Sequence, residues 1–248
     1  AEKWMVTVSP YSPLAVKVAA SCMVGDKAGQ TQVQGLWNFL AGYARGSGVE
    51  VRPSAAGVPS TVLSQGEAVV CLTAAKAKKR LQFTGVVVDR EGLILCTSHN
   101  LENVTQVTIT LKSGKTVEGR IIKADFDRDL ALVDADGPFP AGVSIGGTAR
   151  AMVTGTKLFS IGCPENLSGT VYAGFIAGPP RKVKGQYLWQ ASMKVYPGSS
   201  GSPVFDEQGN LAALIKGRYR GTDSTGFLIP LDTITSFVRD KMADGPNR

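Results

Sequence analysis

The chain holds one histidine, His99, directly after the apolar stretch Leu93-Ile94-Leu95-Cys96 and the pair Thr97-Ser98. An aspartate-rich segment follows, Asp125-Phe126-Asp127-Arg128-Asp129, and later the run Tyr196-Pro197-Gly198-Ser199-Ser200-Gly201-Ser202-Pro203. A serine hydroxyl is a weak nucleophile near neutral pH. It needs a base within hydrogen-bond reach, and that base must be held in one tautomer by a third group. Ser200, His99 and Asp129 can fill these three roles. His99 would take the proton of Ser200 and later give it to a leaving amine, while Asp129 would accept the other imidazole N–H and stabilise the imidazolium. An oxyanion needs backbone N–H groups aimed at one point. The turn Gly198, Ser199, Ser200 offers them, with the N–H groups of Gly198 and Ser200 as the natural pair.

Each residue also has a plainer reading. His99 could be a satisfied core residue, Asp129 a cap or ion-pair partner, and the glycine-serine run an ordinary turn. Their order, with each at the edge of an expected strand, points to a catalytic set.

The elements that must position these residues are mostly strands. Apolar or alternating runs at 68–72, 85–89, 93–97, 104–111, 116–124 and 130–135 form a first group, with turns at 90–92 and 112–115. A connector rich in glycine and proline spans 137–142. A second group covers 157–162, 169–177, 186–191, 201–205, 211–216 and 226–229. Many short strands at this spacing indicate barrels or sandwiches. Asp232 can cap a helix over 233–242, with Ile234, Phe237, Val238 and Met242 on one face. Residues 1–60 break the strand rhythm. Val33, Leu36, Trp37, Leu40 and Tyr43 recur at helical spacing over 31–44, and 52–60 reads as a linker.

Composition narrows the function classes. At 248 residues the chain has ample length for a core, and its 29 glycines and 13 prolines suit a turn-rich protein. No run of 18 apolar residues predicts a membrane span. The apolar stretch 14–24 is short, carries Lys17 and reads as a buried element. The net charge is +7, with clusters at Lys76, Lys78, Lys79, Arg80 and at Arg181, Lys182, Lys184. They read as solvated loops and strand ends, and no nucleic-acid-binding motif accompanies them. The four cysteines, Cys22, Cys71, Cys96 and Cys163, lack the spacing of a metal site. Buried thiols are the default, with two disulfides as the alternative. Neither a metal nor another cofactor is expected.

On these motifs the sequence resembles the HtrA/Deg branch of the trypsin-like serine proteases over about residues 66–240. Thr84-Gly85 through His99 resembles the family's first hairpin and histidine, and Asp125 through Val133 its aspartate segment. Ser160-Ile161-Gly162-Cys163-Pro164 resembles its Gly-x-Pro turn, Gln190 through Pro203 its serine segment, and Gly226 through Pro230 its closing segment. The chymotrypsin architecture also has this His, Asp, Ser order along the chain. The resemblance implies an all-β protein of two six-stranded antiparallel β-barrels, about 66–137 and 147–230, with the triad between them. A C-terminal helix at 232–243 and a partly helical N-terminal extension at 1–60 complete the expected domains, with no PDZ domain.

The implied activity is serine endopeptidase action on exposed or unfolded protein segments. Two other readings remain: a latent or inactive protease fold that binds peptides, and a viral-type processing protease. Ser199 and Ser202 stand where the family often has asparagine and glycine. By analogy the protein is extracytoplasmic, and its N-terminal extension mediates trimer formation through Trp4, Tyr11, Trp37 and Tyr43, aromatics that could equally pack on the barrel. Lys194, six residues before Ser200, falls at the base of the family's primary specificity pocket. It would either favour an acidic side chain by charge pairing or turn to solvent. The strand Leu214, Ile215, Lys216, Gly217, Arg218 would pair with an extended substrate. Lys216, Arg218 and Arg220 would add to an acidic preference.

Overall fold

The computed structural model describes residues 5–12, 15–21 and 57–243, apart from 77–78, 147–151, 184, 220 and 223. Contacts divide the chain into two units, 1–57 and 58–248. In the first unit, β1 (Met5–Ser12) and β2 (Ala15–Ser21) form an antiparallel hairpin. Two strands thus lie in the stretch that breaks the strand rhythm of the sequence. Val6 and Val8 pair with Ala20 and Val18, a two-residue alternation that the prolines at 10 and 13 obscure in the sequence. The expected helix over 31–44, the linker up to residue 56, and the side chains of Trp4, Tyr11, Trp37 and Tyr43 lie outside the described residues.

The second unit opens with a single helical turn, α1 (Ser60–Leu63), continued by a tighter turn at Ser64–Ala68. The first barrel comprises β3 (Val69–Lys76), β4 (Lys79–Asp89), β5 (Leu93–Cys96), β6 (Gln106–Thr110), β7 (Thr116–Asp125) and β8 (Leu130–Ala135). They close in the order β3-β4-β5-β8-β7-β6. The second barrel comprises β9 (Lys157–Gly162), β10 (Thr170–Val183), β11 (Gln186–Ser192), β12 (Pro203–Phe205), β13 (Leu211–Arg218) and β14 (Thr225–Pro230). Its order is β10-β11-β14-β13-β12-β9. The expected pair of six-stranded antiparallel barrels is therefore present, and closure leaves neither sheet with a free edge along its whole length.

Two strands exceed their expected bounds the most, by six residues each. β4 begins at Lys79 because its ladder with β3 runs from Val69↔Val86 to Lys76↔Lys79, so Lys76, Lys79 and Arg80 of the first basic cluster lie at the end of that ladder. β10 continues past Ala177 across two prolines. Register shifts against β11 on both sides of Gly178 place those residues where a missing N–H costs no ladder bond.

Phe83, Ile94, Leu95, Ile109, Leu130 and Leu132 are fully buried in the first barrel. Phe159, Ile161, Leu188, Phe205, Leu214 and Ile229 of the second barrel join the same apolar cluster, so the two barrels share a core. Each such side chain contributes about 1.5–3 kcal/mol on burial. The helix α2 (Leu231–Ala243) lays Ile234, Phe237 and Val238 into this core. It starts ahead of the expected residue 233. Asp232 sits in its first turn, where a carboxylate complements the helix dipole, and accepts the Thr233 N–H at 2.8 Å.

Cys71 on β3 and Cys163 just after β9 form a disulfide that ties the barrels together. For these two residues the thiol expectation is corrected. Cys96 remains a buried free thiol, and burial pushes its ionisation upward. Cys22 lies outside the described residues.

Candidate active site

His99 follows β5, and Asp129 ends the turn between β7 and β8. Asp129 adopts a left-handed backbone with φ of 56°, uncommon for a residue with a side chain. This turn brings its carboxylate under the imidazole. Asp129 Oδ1 lies 2.9 Å and Oδ2 3.0 Å from His99 Nδ1, and Oδ1 also accepts the His99 backbone N–H at 2.9 Å. The carboxylate thus fixes both the ring and its main chain. With Nδ1 engaged, Nε2 is the nitrogen left for a proton acceptor's role. Ser98 braces the turn by donating to the Asp125 carbonyl at 2.9 Å. Asp129 is 3% exposed, so its charge acts across a poorly screened gap. Burial pushes its carboxyl upward, but the bonds and charges of His99 and then Lys216 outweigh that and hold it below the usual carboxylate range.

The serine turn is held from both barrels. Ser200 O accepts the Thr84 N–H of β4 at 2.8 Å, and the Gly201 N–H donates to Ile215 O of β13 at 2.8 Å. Gly201 has φ of +84°, and a Cβ there would strike Thr84 O, so this position requires glycine. Gly198 has φ of +91°, and a Cβ would meet Gln82 Oε1 as well as Cys163 O at 2.7 Å. Among the described residues no acceptor takes the N–H groups of Gly198 or Ser200. They are free to meet an acceptor from outside the turn. The Ser199 N–H instead donates to Tyr196 O at 3.0 Å, and Ser199 Oγ accepts the Tyr196 N–H at 3.2 Å. Ser199 is therefore a brace of the turn, and Gly198 and Ser200 keep the unengaged N–H groups. The Ser200 hydroxyl donates to Lys216 O at 3.3 Å, and no hydrogen bond joins it to His99.

The five residues of the expected substrate strand differ in what their backbone has left to offer. Leu214 and Ile215 are fully buried, and Ile215 spends both its N–H and its carbonyl on the serine turn while it faces Leu228 of β14 on the other side. Among the described residues Gly217 and Arg218 pair only with Phe227 and Gly226 of β14, which leaves their other edge without a strand partner. Lys216 lies at a β-bulge, where the register against β14 shifts between Ile215 and Gly217. A bulge re-aims a side chain. Lys216 Nζ reaches Asp129 Oδ2 at 2.8 Å and Gln186 Oε1 at 3.2 Å. Lys194 is half-buried between Met193 and Val195, which both point into the second barrel, and no partner is seen for its ammonium among the described residues.

Three contributors have no motif of their own. Thr84 Oγ1 accepts the Cys163 N–H and donates to the Gly198 carbonyl. Gln82 Nε2 donates to Cys163 O at 2.6 Å. Gln186 Nε2 donates to Arg128 O at 2.9 Å. The alternation of β4, with Phe83 inward and Gln82 and Thr84 flanking it, is the one sequence signal that could have marked the first two.

A family model described as a trypsin-like peptidase domain matches residues 83–214, which include His99, Asp129 and Ser200. The chain is 29% identical over 171 residues to Protease Do-like 1, chloroplastic, of Arabidopsis thaliana, covering 62% of this chain and 38% of that protein. It is 27% identical over 177 residues to Serine protease Do-like HtrB of Bacillus subtilis (strain 168), covering 65% and 39%. The chain thus spans about two fifths of these relatives. Its fold is similar to the HtrA-type protease AlgW with tripeptide (TM-score 0.68, 23% identity, 75% of this chain and 64% of that one). It is also similar to the serine endoprotease from Yersinia pestis (TM-score 0.66, 24% identity, 79% and 69%).

Proposed function

The chain belongs to the trypsin-like peptidase family, and from that premise we propose that it is a serine endopeptidase working through His99, Asp129 and Ser200. The observation that carries the reading is the joint presence of the Asp129–His99 pair and two unengaged N–H groups beside the serine hydroxyl. In the reaction, Ser200 Oγ leaves the Lys216 carbonyl, gives its proton to His99 Nε2 and attacks the scissile carbonyl carbon. The carbonyl oxygen becomes an oxyanion in the reach of Gly198 and Ser200 N–H. Removing one such donor typically costs about 3 kcal/mol. His99 then protonates the leaving amine, and water repeats the sequence on the acyl-enzyme.

Protein or peptide segments are the proposed substrates, paired in extended form along Gly217 and Arg218. The inter-barrel disulfide supports an oxidising, extracytoplasmic compartment. A homotrimer remains a proposal drawn from the family resemblance.

The test is labelling with a fluorophosphonate probe. Wild type should label, and Ser200→Ala and His99→Ala should not. One observation favours a second reading: Ser200 rests on Lys216 O instead of on His99, as expected of a latent site that substrate must engage. A folded but unlabelled wild type would select that reading.

A further inference from the structure

We propose that Lys216 is a positioning residue that sets the pH range of the reaction, its ammonium neutralising the carboxylate on which the His99 imidazolium depends. The proposal rests on the peptidase reading above, but its test does not.

The geometry is specific. Asp129 Oδ2 is shared: His99 Nδ1 lies 3.0 Å from it and Lys216 Nζ 2.8 Å. The lysine side chain is 24% exposed and the aspartate side chain 4%. Gln186 holds the ammonium from its other side at 3.2 Å and is itself fixed by donating to Arg128 O. The bulge at Lys216 frees the residue from regular pairing. Its carbonyl meets the nucleophile, and its side chain meets the acid of the triad.

When Ser200 gives up its proton, His99 becomes a cation beside Asp129. A lone carboxylate would favour that cation strongly. A carboxylate already paired with an ammonium carries no net charge and favours it less. The imidazole then stays free to accept a proton in more acidic solution.

Other charged groups lie on the elements around the pair. Asp125 and Arg128 on the same turn form an ion pair at 2.6 Å, and Asp240 of α2 holds Arg128 at 2.8 Å. Asp127 and Glu102 are exposed carboxylates on the flanking loops. The Cys96 thiol on β5 is kept neutral by burial.

His99 is the chain's one histidine, so its imidazole proton resonance can be followed by NMR without ambiguity. The titration is run in a Ser200→Ala background, alone and with Lys216→Met or Lys216→Gln. Glutamine keeps a hydrogen-bond donor without the charge. The midpoint should rise by about one pH unit in both variants. In chains retaining Ser200, the acidic limb of kcat/KM should move up with it, so that activity near pH 5.5 falls about tenfold relative to the plateau. A midpoint unchanged to within about 0.2 unit in both variants overturns the proposal. So does a rise with methionine alone, which would make the lysine a hydrogen-bond donor and not a charge. Should the methionine variant fail to fold, the glutamine variant decides. In a chain without proteolytic activity the NMR midpoint still moves or stays, so the two readings fail separately.

Discussion

Thr84 Oγ1 donates to the carbonyl of Gly198 at 2.8 Å, across the junction of the two barrels. The same oxygen accepts the Cys163 N–H at 3.0 Å. One hydroxyl on β4 thereby locks the turn that carries the proposed oxyanion donors, and ties it to the disulfide-bearing segment after β9. Glu165 N adds a second tie by donating to Pro197 O at 3.0 Å.

Thr84→Val keeps the shape and removes the hydroxyl. The Cys163 N–H is then buried without a partner, which costs about 1–3 kcal/mol of stability. The Gly198 carbonyl loses its anchor, so kcat should fall by roughly 10–100-fold while KM changes little, because the lost order matters at the oxyanion. Thr84→Ser should restore most of both. Steady-state kinetics and thermal melts on the three proteins check this. A KM effect without a kcat effect would place Thr84 in substrate binding instead.

The Cys71–Cys163 bond closes a loop of sequence separation 92. Removing it with Cys71→Ser should cost about 2–4 kcal/mol. For a unit of this size that lowers the melting temperature by roughly 5–15 °C. Cys163→Ser should give the same loss, and the double variant no more than either single one. Melts with and without dithiothreitol provide the control: wild type in reductant should approach the variants, and the variants should not respond.

Lys194 carries a half-buried ammonium without a partner among the described residues, and a second cation, Arg218, lies on the open edge of β13. If Lys194 faces the primary pocket, peptides cleaved after Glu or Asp should turn over faster than those cleaved after Val. Lys194→Ala should level or reverse the preference. Matched peptide substrates measure it, and equal cleavage of both by the intact enzyme refutes the acidic preference. Lys216 should not share this effect, because its ammonium is bound to Asp129.

These predictions differ in how far the sequence alone leads to them. The residues of the proposed triad and the glycine turn were legible as candidates because their chemistry is local: a base after an apolar strand, an acid in a turn, a serine near glycines. The barrels were legible because strand periodicity is also local. What pairing creates was not. The bulge that turns Lys216 toward Asp129 exists only against β14, so the sequence suggests a substrate-facing lysine. Cys71 and Cys163 have no spacing that marks them as partners, and Thr84 is an ordinary strand threonine until β9 lies beside it. In the N-terminal hairpin, prolines at 10 and 13 masked a real alternation.

Acid should destabilise the fold through the turn that carries Asp129. Burial pushes the Asp125 carboxyl up, but the Arg128 backbone bond, side-chain bond and charge hold it below its usual range. Asp129 is depressed in the same sense. A carboxylate whose folded value lies below its unfolded one stabilises fully above the unfolded value, about 3.9 for Asp. That contribution is lost as pH falls through this value toward the folded one. The melting temperature should therefore hold between pH 7 and 5 and drop steeply below about pH 4. Asp125→Asn removes one of the two groups. It should melt lower than wild type at pH 7, because Arg128 loses its 2.6 Å partner, and should lose less between pH 5 and 3. The more exposed Arg128–Asp240 pair should change little when Asp240→Asn is made, since an ion pair near solvent contributes about 0–1 kcal/mol. Equal acid sensitivity in wild type and Asp125→Asn would assign the acid transition to Asp129 or to groups outside this turn.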